Sequence, residues 1–227
     1  MILEVPNLER AATGPGGLFY GVYPAVVTDV VDPNNQGRVK VRLPWSPDPG
    51  NSSYEAWARI ATMMAGNNRG TWFIPDKNDE VLVAFEGGNP RRPYVIGALW
   101  NGQDAPPEQM DGAGDNNVKT ILSRQGVRIT LDDSDGAVKL RLETPGGQSI
   151  VLSDADNSIV AEDSNGNTIK MDAQGITLTA SGTLEIDASM VTVNSGMSQF
   201  SGVVQCSTLI TNSVVSASYT PGAGNIW

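Results

Sequence analysis

The sequence contains no histidine and only one cysteine in 227 residues. Without histidine, the chain cannot form a Ser-His-Asp triad, a Cys-His site or an imidazole metal site. With Cys206 alone, it cannot form an intrachain disulfide, which is typical of assembly in a reducing cytoplasm. Burial statistics favour a small apolar filler over a reactive thiol for Cys206. The histidine-based catalytic centres are therefore excluded, and we expect no catalytic, cofactor-binding or metal site.

Aromatic side chains are scarce in the second half of the chain. Of the 14 aromatics, 11 precede residue 107, and only Phe200, Tyr219 and Trp227 follow it. A globular core draws heavily on aromatic side chains. We therefore expect the second half to bury its apolar surface in another way.

Positive charge is also in short supply, because the net charge is −10. An acidic chain is repelled by phosphates and by anionic headgroups, so no nucleic acid is expected as a resting partner. No segment has the length and apolarity to span a bilayer. The start, Met1-Ile-Leu-Glu-Val-Pro6, lacks the pattern of a signal peptide, so we expect assembly in the cytoplasm.

Short alternating segments fill the first half and are separated by Gly, Pro and Asn turns. In Arg38–Leu43, three apolar residues alternate with three cations, which is the period of a strand with one buried face. Five such strands predict a small closed barrel. They are Tyr23–Val31, with Val27 and Val30 as candidates for burial, Arg38–Leu43, Ala56–Met63, Glu80–Phe85 and Tyr94–Leu99.

The order of these segments resembles a known family. The matching blocks, from about Gly21 to Pro107, begin with Gly37-Arg-Val-Lys-Val-Arg-Leu-Pro-Trp45 and include Ala65-Gly-Asn-Asn-Arg-Gly-Thr-Trp-Phe-Ile-Pro75 and Asp79-Glu-Val-Leu-Val-Ala-Phe85. They resemble the oligonucleotide/oligosaccharide-binding (OB) barrel of phage baseplate assembly protein V and of the VgrG spikes of type VI secretion. The resemblance implies a central spike of a contractile injection system.

A nucleic-acid-binding module is an alternative, because OB barrels often bind single strands. That use needs a positive groove interleaved with exposed aromatics. Acidic residues balance Arg38, Lys40 and Arg42, and Trp72 and Phe73 stand next to apolar strand positions. A solvated or subunit-facing charged strand is the favoured interpretation.

From residue 127 the sequence becomes an internal repeat of one short strand and one turn. Anchor residues recur every 7 to 11 positions, from Ile129 through Ile159 to Val191, with Ser, Asp, Asn and Gly between them. This pattern is typical of a β-solenoid. Such short repeats cannot enclose a core alone, so we expect three chains wound together, with strands paired between chains and no long edge left open. Spikes of the resembling family carry such a shaft.

Acidic segments within the repeat could be taken for functional sites. Asp132-Asp-Ser-Asp-Gly136 and Asp163-Ser-Asn-Gly166 fail the calcium-loop pattern, so we expect turns. Glu185 and Asp187 alternate with Leu184 and Ile186, which indicates a solvated face rather than an acid–base pair. A β-helical polysaccharide-degrading tail enzyme nevertheless stays an alternative function.

These patterns predict an all-β fold, an N-terminal OB barrel followed by an intertwined triple-stranded β-helix in a homotrimer. The predicted regions are an arm (1–20), the OB domain (21–107), a linker (108–126) and the spike with its tip (127–227). The resemblance implies a membrane-piercing spike at the tail baseplate of a virion or injection particle, with a hub protein at the N-terminal side. We expect Tyr219, Pro221, Ile226 and Trp227 either to bind a separate tip protein of the PAAR type or to fold back and plug the axis of the trimer.

Overall fold

The computed structural model describes residues 17–47 and 53–218, and its regular structure is almost entirely β. The chain divides into two units between Thr179 and Ala180. The first unit holds a closed barrel and a separate seven-stranded sheet. The all-β prediction is confirmed.

The barrel contains five main strands that close in the order β1-β2-β3-β7-β6. Strand β3 pairs with β7 in parallel, and the other pairs are antiparallel. This is the five-stranded OB arrangement that the sequence predicts. The strands are β1 (Val22–Asp29), β2 (Val39–Pro47), β3 (Ser53–Ile60), β6 (Glu80–Phe85) and β7 (Pro93–Ala98).

Alternation along the strands fills the barrel with small branched side chains. On β2, Val39, Val41 and Leu43 are buried, whereas Arg42 is exposed and Lys40 is half-buried. Burying each such side chain contributes about 1.5–3 kcal/mol. The core also includes Ala25, Val27, Ala58, Val81, Val83, Phe85 and Val95.

Two expectations about the barrel core are wrong. Val30 is 42% exposed, because β1 ends at Asp29 and Val30 begins the following loop. Trp72 and Phe73 are 75% and 68% exposed, although they stand beside apolar positions in the sequence. They lie in the loop after a small hairpin of β4 (Ala65–Gly66) and β5 (Arg69–Gly70), which the sequence did not predict.

The second sheet is an antiparallel meander in which each strand pairs with its neighbours in the sequence, from β8 to β14. Its strands are β8 (Val118–Leu122), β9 (Arg128–Asp132), β10 (Lys139–Glu143), β11 (Ser149–Ser153), β12 (Ser158–Glu162), β13 (Thr168–Asp172) and β14 (Gly175–Thr179). The predicted strand-and-turn repeat is thus present, and β8 lies inside the segment predicted as a linker. The apolar residues of β8, Val118, Ile121 and Leu122, lack the period of two that marks a half-buried strand, so the sequence does not predict this strand.

The strand pairing of this sheet differs from the expected one. From β8 to β14, the backbone ladders join strands of the same chain. Turns of two to six residues make this possible, because antiparallel neighbours need only short connections. Winding of chains around one another is therefore not needed to pair the backbone of residues 118–179.

Aspartates fix the turns of this sheet, as the sequence predicts. The carboxylate of Asp163 accepts hydrogen bonds from the backbone N–H groups of Asn165 and Asn167, both at 2.9 Å. It also accepts the side-chain amides of both asparagines, at 3.2 and 2.8 Å. These donors, the Asn167 side chain above all, lower the pKa of Asp163 to about 2. Asp132 holds the β9–β10 turn similarly through Ser134.

We predict that Asp163→Asn removes an acid-sensitive part of the stability. Since the pKa of Asp163 is lowered on folding, its contribution is complete above the ordinary value of 3.8 and is lost as the pH falls towards 2. Melting temperatures at pH 7 and between pH 4 and 2 should therefore show a difference between wild type and Asp163→Asn that shrinks with acid. Asp135→Asn, an exposed carboxylate in the β9–β10 turn, is the control. A difference that stays constant down to pH 2 would contradict the assignment.

Candidate assembly interface

The two faces of the seven-stranded sheet differ sharply in chemistry. Because paired residues in an antiparallel ladder lie on the same side, the register defines each face. Leu140 of β10 pairs with Leu131 of the neighbouring strand β9 and with Leu152 of the other neighbour, β11, and Leu152 pairs with Ile159 of β12. This face, called the apolar face below, comprises Ile121, Ile129, Leu131, Leu140, Leu142, Ile150, Leu152, Ile159, Ala161, Ile169, Met171, Ile176 and Leu178, with Lys119 at its first strand.

The opposite face carries ion pairs. Lys170 lies 2.7 Å from Asp172, and Arg141 lies 2.5 Å from Glu143. The Lys170 ammonium lowers the pKa of Asp172, and the carboxylate in turn raises the pKa of Lys170. These charges are well placed for contact with water, so this face is the solvent side of the sheet.

Glu108 ties the segment before the sheet to the same polar face. Its carboxylate accepts a hydrogen bond from the Thr120 hydroxyl at 2.7 Å and pairs with the Arg128 guanidinium. The Thr120 hydroxyl, followed by Arg128, lowers the pKa of Glu108. The connection from the barrel thus runs over the polar side and leaves the apolar face open.

Within the chain, the apolar face is not covered. Ile121 is 50% exposed, Ile169 is 47% exposed and Ile176 is 76% exposed. Seven strands spaced at about 4.8 Å make this face about 29 Å long. A sheet with one apolar face must bury it against another layer. An exposed apolar surface of this extent marks an interface.

In the described part of the second unit, residues 180–218, the apolar side chains are exposed to an even greater extent. Between Ala180 and Ser218 the structure assigns neither helix nor strand, and bends recur along an otherwise extended chain. Thirteen large apolar side chains of this segment are at least half exposed, including Leu184, Ile186 and Val215. An extended chain of this kind has neither a core nor a backbone ladder of its own, so both must come from other chains.

The expected burial of Cys206 is not seen within one chain, where its side chain is exposed. The reason is its position in the extended segment, where neighbouring residues of the same chain provide no core. Any burial of Cys206 has to come from chains packed around it.

Two of the three cations at strand β2 of the barrel are paired with carboxylates of the same chain. Arg38 lies 2.7 Å from Asp32, and Lys40 lies 3.9 Å from Glu55. Both cations lie over the Trp57 ring, at 5.7 and 5.5 Å from its centroid. Asp32, which also accepts backbone N–H groups of its own loop, is nearly buried, and the Arg38 guanidinium holds its pKa far below the usual range. This arrangement fixes the β1–β2 loop and leaves Arg42 as the exposed cation of β2.

Within residues 17–47 and 53–218, no three side chains of His, Cys, Asp or Glu are grouped so that they could hold a metal ion. Over the same ranges, no helix is long and apolar enough to cross a membrane. The predicted tip residues Tyr219, Pro221, Ile226 and Trp227 lie outside the described residues.

Two family models match the chain, one in each region of interest. Residues 23–100 match the type VI secretion system and phage-baseplate injector OB domain. Residues 139–197 match the phage baseplate V C-terminal trimerisation domain, which includes most of the apolar face and the start of the extended segment. The chain thus carries an injector OB domain and a baseplate V trimerisation domain, as baseplate V and VgrG-like spike proteins do.

Curated relatives of the family include spike proteins of type VI secretion. The chain is 30% identical to the spike protein VgrG1b of Pseudomonas aeruginosa over 134 residues, which is 56% of this chain and 18% of the relative. Identity with VgrG1a of the same organism is 31% over 131 residues, 54% of this chain and 20% of the relative. VgrG3 of Vibrio cholerae is 30% identical over 120 residues, 52% and 11% of the two chains. The match thus spans a fifth or less of each relative.

We predict that Leu178→Asp destabilises the assembly and that Thr177→Asp does not. Both residues are exposed within the chain on β14, but Leu178 belongs to the apolar face and Thr177 lies opposite Lys170 on the polar face. If partner chains cover the apolar face, the aspartate costs several kcal/mol per chain as an unpaired buried charge. Thermal melts of the two purified variants provide the comparison. Equal melting temperatures would show that the apolar face is not an interface.

Proposed function

We propose that the protein is the membrane-piercing spike of a contractile tail baseplate, in a phage tail or a related injection system. The observation that carries this proposal is the apolar face, which continues into an extended segment with exposed apolar side chains. Three copies with the apolar faces turned inward form a triangular prism with a shared core. The match to a trimerisation domain supports this homotrimer.

Stiffness is the property that such a prism provides. Its strands stack along the axis through continuous hydrogen-bond ladders, and its core is packed at the density of an organic crystal, with low compressibility. Sheath contraction supplies the work, and the prism transmits the axial force to the tip without buckling. Function then depends on shape and rigidity rather than on turnover of a substrate.

The extended segment supports a needle that narrows. Bends occur at 182, 189 and 196 and then at 202, 207, 212 and 217, so the spacing falls from seven residues to five. If each stretch between bends crosses one side of a threefold shaft, a shorter stretch gives a smaller cross-section. At about 3.3 Å per residue, the two lost residues shorten each crossing by roughly 7 Å. Interwinding of the three chains here supplies the backbone partners that one chain lacks.

The partners follow from the polarity of the chain. We place a baseplate hub protein at the N-terminal side, next to the predicted arm of residues 1–20 and the barrel. The particle would be assembled in the host cytoplasm and would meet the target membrane only during contraction. The named relatives are spike proteins. The alternative function is a polysaccharide-degrading tail enzyme. Release of sugars from peptidoglycan or capsule by the purified protein would favour that alternative over the spike.

We predict that a chain ending at residue 201 still assembles into tails that fail in delivery. It keeps the barrel, the apolar face and the matched trimerisation domain, but loses the five-residue segments proposed to form the narrow end. Electron microscopy should show complete tails that contract, while delivery into target cells falls by orders of magnitude relative to wild type. Normal delivery by such tails would rule out a piercing role for this end.

The C-terminal residues are proposed to seat a separate tip protein of the PAAR-repeat type. Three copies of Ile226 and Trp227 at a blunt threefold end would present an apolar patch, which is typical of a binding surface. Deletion of residues 225–227 should abolish co-purification with a candidate cap protein of the PAAR-repeat type. Unchanged capture of the cap by the shortened chain would show that these residues do not form the seat.

A further inference from the structure

The loop between β3 and β6 exposes large apolar side chains to solvent, and a small hairpin fixes its backbone. Met63 is 89% exposed, and Trp72 and Phe73 are 75% and 68% exposed. The Thr71 N–H donates to the Met64 carbonyl at 3.0 Å, which closes the small hairpin. At Gly70, φ is +154°, and an added Cβ would lie 2.6 Å from the Met64 oxygen, so the backbone admits only glycine. A fixed loop with exposed aromatics is typical of a prepared contact surface.

This loop lies at the end of the barrel from which the chain continues into the sheet. Strands β3 and β7 run parallel towards this end, and the Leu99 N–H, just after β7, donates to the Glu80 carbonyl at the start of β6 at 2.9 Å. Arg124, in the β8–β9 turn, lies 3.0 Å from Asp76 in the same loop region. The N-terminal side enters at the opposite end, where the Phe19 N–H donates to the Gly88 carbonyl. The exposed aromatics therefore point away from the proposed hub.

A cavity of about 500 Å³ opens on the segment that joins the barrel to the sheet. Its walls are largely apolar and include Trp100, Pro106, Pro107, Met110 and Val118. Ligand pockets have volumes of about 300–1,000 Å³, so a cavity of this size has room for an aromatic side chain. The hairpin of the same chain does not fill the cavity, because Trp72 and Trp100 are both exposed within the chain.

Charge complementarity favours a second copy of this chain as the occupant. Arg69 is exposed at the hairpin turn, and Asp111, with Asp115 close by in the sequence, supplies negative charge at the rim of the cavity. Val118 lines the cavity and belongs to β8, where its pairing with Asp132 places it on the polar face of the sheet. A projection and a cavity on different parts of one chain make a heterologous contact, which closes into a ring under threefold symmetry.

We propose that, in the trimer, Trp72 and Phe73 of each protomer insert into the Trp100–Met110 cavity of the next protomer. The three contacts form a collar that joins the barrels where the sheet begins. The inference rests on the threefold assembly proposed above. It gives the barrels a role in holding the trimer that is separate from the apolar face of the sheet.

Cross-linking between protomers tests the contact directly. In a Cys206→Ser background, Trp72→Cys combined with Met110→Cys and a flexible bis-maleimide should give covalent dimers and trimers on denaturing gels. Arg91→Cys with Met110→Cys, which uses the far end of the barrel, is the control and should stay monomeric. The mass in solution is measured first. A trimer in which the Trp72–Met110 pair yields only monomer bands overturns the collar but leaves the spike proposal intact.

A second measurement keeps Trp72 in place and asks whether it covers the cavity. In the Cys206→Ser, Met110→Cys protein, maleimide should react at least tenfold more slowly than with an Arg91→Cys protein. Adding Trp72→Ala should restore fast labelling of Met110→Cys, whereas adding Lys77→Ala, a neighbouring exposed change, should not. Fast labelling of Met110→Cys with Trp72 intact would overturn the contact, as would labelling that Trp72→Ala does not change.

Discussion

An apolar face that its own chain does not cover is the constraint on which the rest of this structure depends. The sheet from β8 to β14 satisfies its backbone internally, so hydrogen bonding does not force association. The side chains do, because a row of Ile, Leu and Met about 29 Å long faces water on one side. The hydrophobic term grows with the apolar area removed from water, and only association removes this area.

The polar face and the turns direct that association. Ion pairs such as Lys170–Asp172 keep the outer side of the sheet charged, so the sheet can pack in only one orientation. Asp163 and Asp132 hold their hairpins in register, which keeps the apolar side chains on one face, since a slip of one residue would turn them outward. The hydrogen bond between Glu108 and Thr120 holds the segment that joins the barrel to the sheet on the polar face. Local polar interactions thus define where the apolar surface lies.

Much of this was predictable from the sequence, because period-two patterns report directly on faces. The alternation in Arg38–Leu43 predicts the buried side of β2, where Val39, Val41 and Leu43 are indeed buried. Strand β8 and the β4–β5 hairpin were missed because neither carries that period. Strand pairing within the sheet was also missed, since short repeats fit intrachain and interchain ladders equally well. Exposure of Trp72 and Phe73 could not be predicted, because their apolar neighbours belong to a loop.

The mass of the purified full-length chain in solution tests the central claim most directly. Sedimentation equilibrium over a wide range of concentration should give three times 24.0 kDa, about 72 kDa, with no folded monomer as the protein is diluted. Circular dichroism on the same samples should show that β-structure and the 72 kDa species disappear together. A folded 24.0 kDa monomer with its β-structure intact would contradict the account, because the apolar face would then be stable without cover.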